Sequence, residues 1–180
     1  MVGKIAIFLL CLTFKFGQSN EDGRDIIKAV AKIGSPDGTI HGFATFSQEF
    51  SDEASTHIII KLDGLPNGSF GVQIRNWGNL TRGCESFGDE FNPDNVQRHI
   101  GLRFPARKVG TIGNIVNNKF DEWNTKVSLF DRNSVIGRGI VVFEHADDNG
   151  MVASRDSMQD GSVGKPIACG IIGRYGAKII

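Results

Sequence analysis

The sequence predicts an all-β sandwich or Greek-key barrel, and two observations support that prediction. Short apolar or alternating runs recur along the chain with turn residues between them, a pattern typical of antiparallel sheet proteins. Glycine is abundant, with 23 residues among 180, which indicates many turns and hence many short strands. With 40% hydrophobic residues, among them 13 Phe, a single domain with an apolar core is expected.

The strands are predicted from apolar runs and the turn residues that follow them. The runs are residues 26–33, 40–46, 57–62, 70–77, 113–116, 125–130, 139–143 and 167–172. Two longer stretches interrupt this rhythm, residues 78–108 and residues 145–166, and both are rich in Gly and Asp. Loops of this length inside a compact domain are usually functional or are vestiges of a function.

The first 19 residues resemble a secretory signal peptide. Lys4 precedes an apolar run over residues 5–14, and small residues follow before the expected cleavage after Ser19. An uncleaved anchor or a buried first strand is the alternative, although the run is short for a membrane span. Residues 20–180 are then the mature domain, and the predicted location is extracellular.

Charge and sequons follow from that prediction. Cleavage leaves 18 basic and 20 acidic residues, a net charge of −2, so overall charge gives no reason to expect nucleic acid or an anionic membrane as partner. Asn67 and Asn79 begin Asn-x-Ser/Thr sequons and are candidate glycosylation sites, although sequons also arise by chance.

Two cysteines remain after cleavage, because Cys11 lies in the signal peptide. In a secreted chain, Cys84 and Cys169 are expected to form a disulfide, with two unpaired buried thiols as the alternative. Such a bridge would join the first long stretch to the last predicted strand.

Several motifs resemble the copper/zinc superoxide dismutase family, in family order and at near-family spacing. They are Gly64–Gly68, Gly83–Pro93, Val109–Asn114, Ile136–Asp148 and Ala168–Gly173. The resemblance implies an eight-stranded Greek-key barrel with two long loops, and it implies that the family disulfide corresponds to Cys84 and Cys169. The family uses copper and zinc to dismutate superoxide.

The same resemblance implies that the copper ligands are lost. The four copper-binding histidines of the family correspond to Gln73, Arg75, Glu90 and Phe143. Copper prefers imidazole nitrogen in such sites, and none of these residues supplies it. Pro166, with Lys165 beside it, stands where the family has the arginine that guides superoxide.

The zinc site is predicted to be lost as well. Its four ligand positions correspond to Glu90, which is shared with copper, His99, Lys108 and Thr111, and a structural zinc site needs four N, O or S donors. The carboxylate that orients the metal ligands in the family is retained as Asp147. We therefore expect no metal cofactor. The four mature histidines, His41, His57, His99 and His145, form no close sequence pair that would indicate a new metal site.

The substitutions indicate a hypothesis for the former copper site. A partly buried Arg75–Glu90 ion pair would replace the lost metal charge, Gln73 would add hydrogen bonds and Phe143 would fill volume. The alternative is that Arg75 and Glu90 both face solvent from loosened loops.

The functional expectation is a secreted, non-catalytic relative of the dismutases that acts by protein binding, as a homodimer or in a heterodimer with a family member. Residues 170–173 resemble the dimer-contact region of the family, although their apolar side chains could equally belong to the core. An active extracellular dismutase with unrecognised ligands is one alternative, and a structural component of an extracellular fluid or matrix is another.

Overall fold

The computed structural model describes residues 25–176. Its strands are β1 (Ile26–Gly34), β2 (His41–Glu49), β3 (Thr56–Asp63), β4 (Ser69–Arg75), β5 (Thr81–Cys84), β6 (Thr111–Val116), β7 (Lys119–Asn124), β8 (Gly139–Phe143), β9 (Pro166–Ile171) and β10 (Gly173–Arg174). A 3₁₀ helix spans Glu85–Phe87 and helix α1 spans Arg155–Asp160. The predicted signal peptide lies outside the described residues.

Eight of these strands close into an antiparallel barrel. The order around it is β1, β2, β3, β7, β6, β4, β8, β9, and Gly34 of β1 pairs with Cys169 of β9 to complete the ring. The short strand β10 is an addition beside β1. The predicted eight-stranded barrel is confirmed, and closure leaves few exposed strand edges.

Alternation along the strands builds the barrel core. In β3, for example, Ile58, Ile60 and Leu62 are buried, while the residues between them face outward, as the two-residue period of a strand requires. A second, smaller cluster lies outside the barrel under the long loops and contains Phe87, Val141, Phe143, Val163 and Cys169. This cluster includes Phe143, one of the residues predicted at a copper position.

One predicted strand is wrong, and one strand of the barrel was missed, as were the short strands β5 and β10. Residues 125–130 are not a strand, apart from an isolated bridge at Ser128, and the chain instead forms β7 at Lys119–Asn124. A two-residue turn, Asn117–Asn118, joins β6 to β7, and both residues have positive φ angles of 50° and 63°. That geometry favours a tight hairpin. Strand β7 has only two buried side chains, so it lacks the apolar pattern that marks the other strands.

The two long loops contain short elements of their own. The first holds β5 and the 3₁₀ helix, and the second holds α1, whose N-cap Ser154 accepts a hydrogen bond from the Ser157 amide. The predicted disulfide is confirmed: it joins Cys84 at the end of β5 to Cys169 in β9, with 5.6 Å between the Cα atoms. Within residues 25–176, no helix is long and apolar enough to cross a membrane.

Candidate functional site

The four residues predicted at copper positions come together at one end of neighbouring strands. Gln73 and Arg75 lie on β4, which pairs with β8 so that Gln73 is opposite Val141, and β8 ends at Phe143. Glu90 belongs to the first long loop, and its backbone forms an isolated bridge with that of Arg75. The side chains therefore lie near the base of both long loops.

Gln73 and Phe143 are fully enclosed there. The Nε2 atom of Gln73 donates to the carbonyl oxygen of Asp160 at 2.8 Å, which fixes the end of α1 over β4, while its buried Oε1 atom has no hydrogen-bond partner. Phe143 is 2% exposed and belongs to the smaller apolar cluster. Its ring therefore fills volume, as predicted, and it offers no metal donor.

Arg75 lies against an aromatic ring instead of forming the predicted ion pair. Its Cζ atom is 4.7 Å from the centre of the Phe143 ring, an arrangement that favours a cation–π interaction. Burial lowers the pKa of Arg75, and the charges of Glu90, Asp160 and Asp89 oppose that effect. The expected direct Arg75–Glu90 pair is therefore wrong: the two residues share a backbone bridge and a longer-range attraction, because other groups bind the Glu90 carboxylate.

Glu90 is paired with residues predicted at the zinc positions. Its Oε2 atom lies 3.1 Å from Nδ1 of His99 and 3.1 Å from Nζ of Lys108. Its Oε1 atom accepts a hydrogen bond from Oγ1 of Thr111 at 2.6 Å. Glu90 is 4% exposed, so the alternative of a solvent-facing carboxylate is also wrong. Burial raises its pKa, but the hydrogen bond and charge of His99, with the charge of Lys108, hold it below the ordinary value.

His99 links Glu90 to Asp147. Its Nε2 atom lies 2.9 Å from Oδ1 of Asp147, and all three side chains are buried. Ionised carboxylates only accept hydrogen bonds, so both ring nitrogens must carry a proton and His99 is a cation. Burial alone would lower its pKa, but the hydrogen bonds to Asp147 and Glu90 raise it to about 9.

The result is a closed charge network, composed of Glu90, His99, Lys108 and Asp147. Two carboxylates face one imidazolium and one ammonium, so the formal charges cancel. Lys108 also donates to the carbonyl oxygen of Gln159 at 2.7 Å, which ties α1 to the network. Sequence reasoning assigned Glu90, His99 and Lys108 to zinc positions and Asp147 to the carboxylate that orients metal ligands, but it missed that Lys108 would bind Glu90. The opposite charges of Glu90 and Lys108, both predicted at zinc positions, could have indicated this ion pair from the sequence.

These residues do not fit a copper or zinc centre. At the copper positions stand a guanidinium and a phenyl ring, neither of which donates to a metal, and a glutamine whose amide nitrogen is already engaged. At the zinc positions the ammonium of Lys108 already binds Glu90, and both nitrogens of His99 are engaged. Across residues 25–176, no group of three His, Cys, Asp or Glu side chains is arranged to hold a metal ion.

A polar cavity of about 440 Å³ opens beside Arg75 and Glu90, two of the residues predicted at copper positions. Arg75, Glu90 and Lys108 contribute to its walls, and five amide side chains contribute as well: Asn76, Asn92, Asn95, Gln97 and Gln159. Such a lining suits water and polar solutes better than an apolar ligand. The cavity provides access to solvent for this end of the barrel.

The remaining predicted residues lie on the surface. Asn67 and Asn79 are both exposed, as glycosylation would require. Pro166 begins β9 opposite Phe143, and the neighbouring Lys165 is exposed, with its amide donating to Oε1 of Glu144.

Comparison with known proteins identifies the same family throughout. Residues 40–172 match the family model for copper/zinc superoxide dismutase. The chain is similar to an extracellular superoxide dismutase [Cu-Zn] of Drosophila melanogaster, at 38% identity over 156 residues, which cover 82% of this chain and 85% of that protein. It is also similar to superoxide dismutase [Cu-Zn] A of Xenopus laevis, at 34% identity, covering 82% and 98% of the two chains.

A solved structure gives the same result for the fold. The structure described as that of the clock protein EA4 matches with a TM-score of 0.74 at 33% sequence identity, covering 82% of this chain and 94% of that one. The barrel of this chain therefore has a known architecture, within which the charge network is formed.

Proposed function

The chain belongs to the copper/zinc superoxide dismutase family, and from this premise we propose that it is a secreted member that acts by binding proteins and does not dismutate superoxide. The observation that carries the proposal is the contact between Nζ of Lys108 and Oε2 of Glu90 at 3.1 Å. A cation of the chain binds the carboxylate at the position that the resemblance assigns to the ligand shared by both metals. Metal binding there would have to displace a buried ion pair.

Secretion of the chain is supported by four points. The predicted signal peptide precedes the domain, and one of the relatives is named as an extracellular enzyme. The disulfide fits an oxidising compartment. Exposure of Asn67 and Asn79 is consistent with glycosylation in the secretory pathway.

Protein binding is supported by an exposed apolar patch, formed by Trp77, Leu80 and Ile171, whose exposed fractions are 62%, 50% and 37%. A Cβ atom at Gly78 would lie 3.1 Å from Cγ2 of Ile171, so the loop that carries Trp77 lies against the end of β9. Aromatic and aliphatic side chains of this kind are common in protein interfaces. We propose that this patch binds a second copy of the chain or a family relative.

The catalytic part of the proposal is tested by metal loading. The secreted chain is produced with copper and zinc supplied, beside the Drosophila relative as a positive control, and both metals are measured by elemental analysis together with superoxide dismutation. We expect metal far below one equivalent and no activity above buffer, because the donor set is missing. One equivalent of copper with dismutation would establish the active-enzyme alternative.

The binding part is tested separately by sedimentation analysis. We expect the secreted chain to self-associate, or to form a mixed dimer with a co-expressed relative, and Ile171→Asp to abolish either complex while the circular dichroism spectrum of the folded chain stays unchanged. A chain that stays monomeric alone and with the relative would overturn this part. Asn79 lies between Trp77 and Leu80, so the sample is also measured after enzymatic removal of glycans.

A further inference from the structure

Arg107 is buried near the end of the first long loop without an acidic partner. Its side chain is 3% exposed. Burial lowers the pKa of Arg107, and no carboxylate of residues 25–176 opposes that effect, whereas three carboxylates do so at Arg75. A guanidinium stays charged in proteins, and a buried charge without compensation is costly. A negative charge beside Arg107 would therefore stabilise the folded chain.

Two buried donors of the same cluster lack an acceptor. Nε of Arg107 and Nδ2 of Asn124 have no hydrogen-bond partner in the described part of the chain, and Asn124 is 2% exposed. Nη2 of Arg107 donates to Oδ1 of Asn124 at 2.9 Å, and each unused donor is attached to the same carbon as an atom of that contact. Buried donors are nearly always satisfied by the chain, by water or by an ion.

The amide of Asn124 cannot turn over to satisfy these donors. Its Oδ1 atom also accepts hydrogen bonds from the backbone amides of Lys126 and Val127, at 2.9 and 3.0 Å. Exchanging oxygen and nitrogen would place an NH2 group against three donors. Nδ2 is therefore held as a further donor beside Arg107, and the partner that both groups require is an acceptor.

The charges around this cluster are predominantly positive. Nζ of Lys126 donates to the carbonyl oxygen of Arg107 at 2.9 Å and lies 3.4 Å from Oδ2 of Asp94. Arg132 binds the same carboxylate, with 2.6 Å between Nη1 and Oδ1. Within these contacts, three cations share one carboxylate. The excess of positive charge favours an anion over a water molecule as the acceptor.

The surroundings of the two donors favour a small anion. Cavities of about 440 and 510 Å³ open elsewhere on the described part of the chain, and neither is lined by Arg107 or Asn124. An enclosed position of this kind suits a single atom better than an organic carboxylate or a phosphate ester. Chloride is the common biological anion of that size.

We propose that the chain binds a chloride-sized inorganic anion between Nε of Arg107 and Nδ2 of Asn124. Asn124 ends β7, so the anion would join the first long loop to the barrel. Lys108 follows Arg107 directly and binds Glu90, so the same anion would steady the segment that supplies one cation of the charge network. The proposal is independent of secretion, protein binding and dismutation, because it uses none of the residues that support them.

Thermal unfolding with exchanged anions tests the proposal. The purified chain is melted at constant pH and ionic strength while sodium chloride replaces sodium gluconate, whose anion is too large for an enclosed site. We expect the melting temperature to rise with chloride concentration, because an anion that binds only the folded chain stabilises it by mass action. Bromide should act in the same way. A melting temperature independent of both halides would overturn the proposal.

Asn124→Asp should remove the need for the anion, because it places a carboxylate oxygen where Nδ2 stands. We expect this variant in gluconate to melt at or above the temperature of the wild type in chloride, with no further rise when chloride is added. The control Gln97→Glu adds the same charge on an exposed side chain and should keep the chloride dependence of the wild type. Equal chloride dependence in Asn124→Asp and the wild type would refute the assignment to this site.

Bromide also locates the anion directly, whether or not Asn124→Asp folds. Crystals of the wild type soaked in bromide should show an anomalous diffraction peak within hydrogen-bonding distance of Nε of Arg107. Bromide peaks that lie only elsewhere on the chain, or no peak at all, would overturn the proposal.

Discussion

Nζ of Lys108 lies 3.1 Å from Oε2 of Glu90, and both side chains are largely removed from solvent, with 12% and 2% exposed. The carboxylate has a second cation, His99, at the same distance. Removing one partner of a buried pair leaves the other charge uncompensated, which makes such pairs costly to break even where the intact pair adds little stability.

The first prediction concerns Lys108→Met, which keeps most of the length of the side chain and removes its charge. We expect a loss of about 3 kcal/mol in the free energy of unfolding, measured by denaturant titration. The matched control is Arg132→Gln, which breaks the ion pair with Asp94 at the surface, where Arg132 is 66% exposed; this loss should stay below about 1 kcal/mol. Equal losses in the two variants would contradict a buried role for Lys108.

The second prediction is a loss of stability in alkaline solution. The pKa of His99 rises from 6.5 to about 9 in the folded protein, so folding binds a proton between these values. The stabilisation is complete below the unfolded pKa of 6.5 and is lost as pH rises through about 9, to a total of about 3 kcal/mol. Unfolding measured across this range should show the slope in the wild type and a reduced slope in His99→Gln. An unchanged slope in the variant would assign the effect to another group.

The third prediction compares two glycines with nearly equal φ angles. Gly161 and Gly137 have φ of 79° and 82°, a region in which alanine costs about 1 kcal/mol or more in backbone strain. At Gly161 the added Cβ would also lie 2.2 Å from Oδ1 of Asp147 and 2.8 Å from Nε2 of His99, whereas nothing lies within 4 Å at Gly137. Gly161→Ala should therefore lower the melting temperature much more than Gly137→Ala. Similar decreases would indicate that the network can move aside.

The fourth prediction concerns the disulfide. It closes a loop of 85 residues between β5 and β9, and its removal in the double variant Cys84→Ser/Cys169→Ser should cost about 2–4 kcal/mol. The denaturant midpoint is measured with and without a reductant. The wild type should lose stability on reduction and the variant should not respond, and a response of the variant would point to an effect of the reductant elsewhere.

Much of the framework could be predicted from sequence because it depends on local patterns. Strands such as β3, where buried Ile58 and Ile60 alternate with outward residues, can be predicted from that alternation. The disulfide could be predicted from the expected oxidising compartment of a secreted chain. Strand β7 could not be found in this way, because the hairpin with β6 and the pairing with β3 hold it in place rather than an apolar face of its own.

The site shows the same limit. The loss of metal donors could be inferred position by position, but the partner of Glu90 depended on which loop approaches it. His99 and Lys108 lie 9 and 18 residues away in sequence, and Asp147 belongs to the other long loop. Their contacts are set by the fold of both loops around the barrel end, which no local pattern encodes. The backbone of Arg75 lies beside that of Glu90. The guanidinium of Arg75 nevertheless lies over the ring of Phe143 instead of pairing with Glu90.

The cation at Glu90 is covalently joined to the backbone through the methylene groups of the Lys108 side chain. A fold completed by a dissolved ion has a stability that follows the free concentration of that ion and its competitors. The ammonium of Lys108 does not depend on a free concentration, because each chain contains one Lys108. Under the proposal that no metal binds here, this charge network is expected to form on folding without a loading step or a delivery protein, and to be insensitive to chelators.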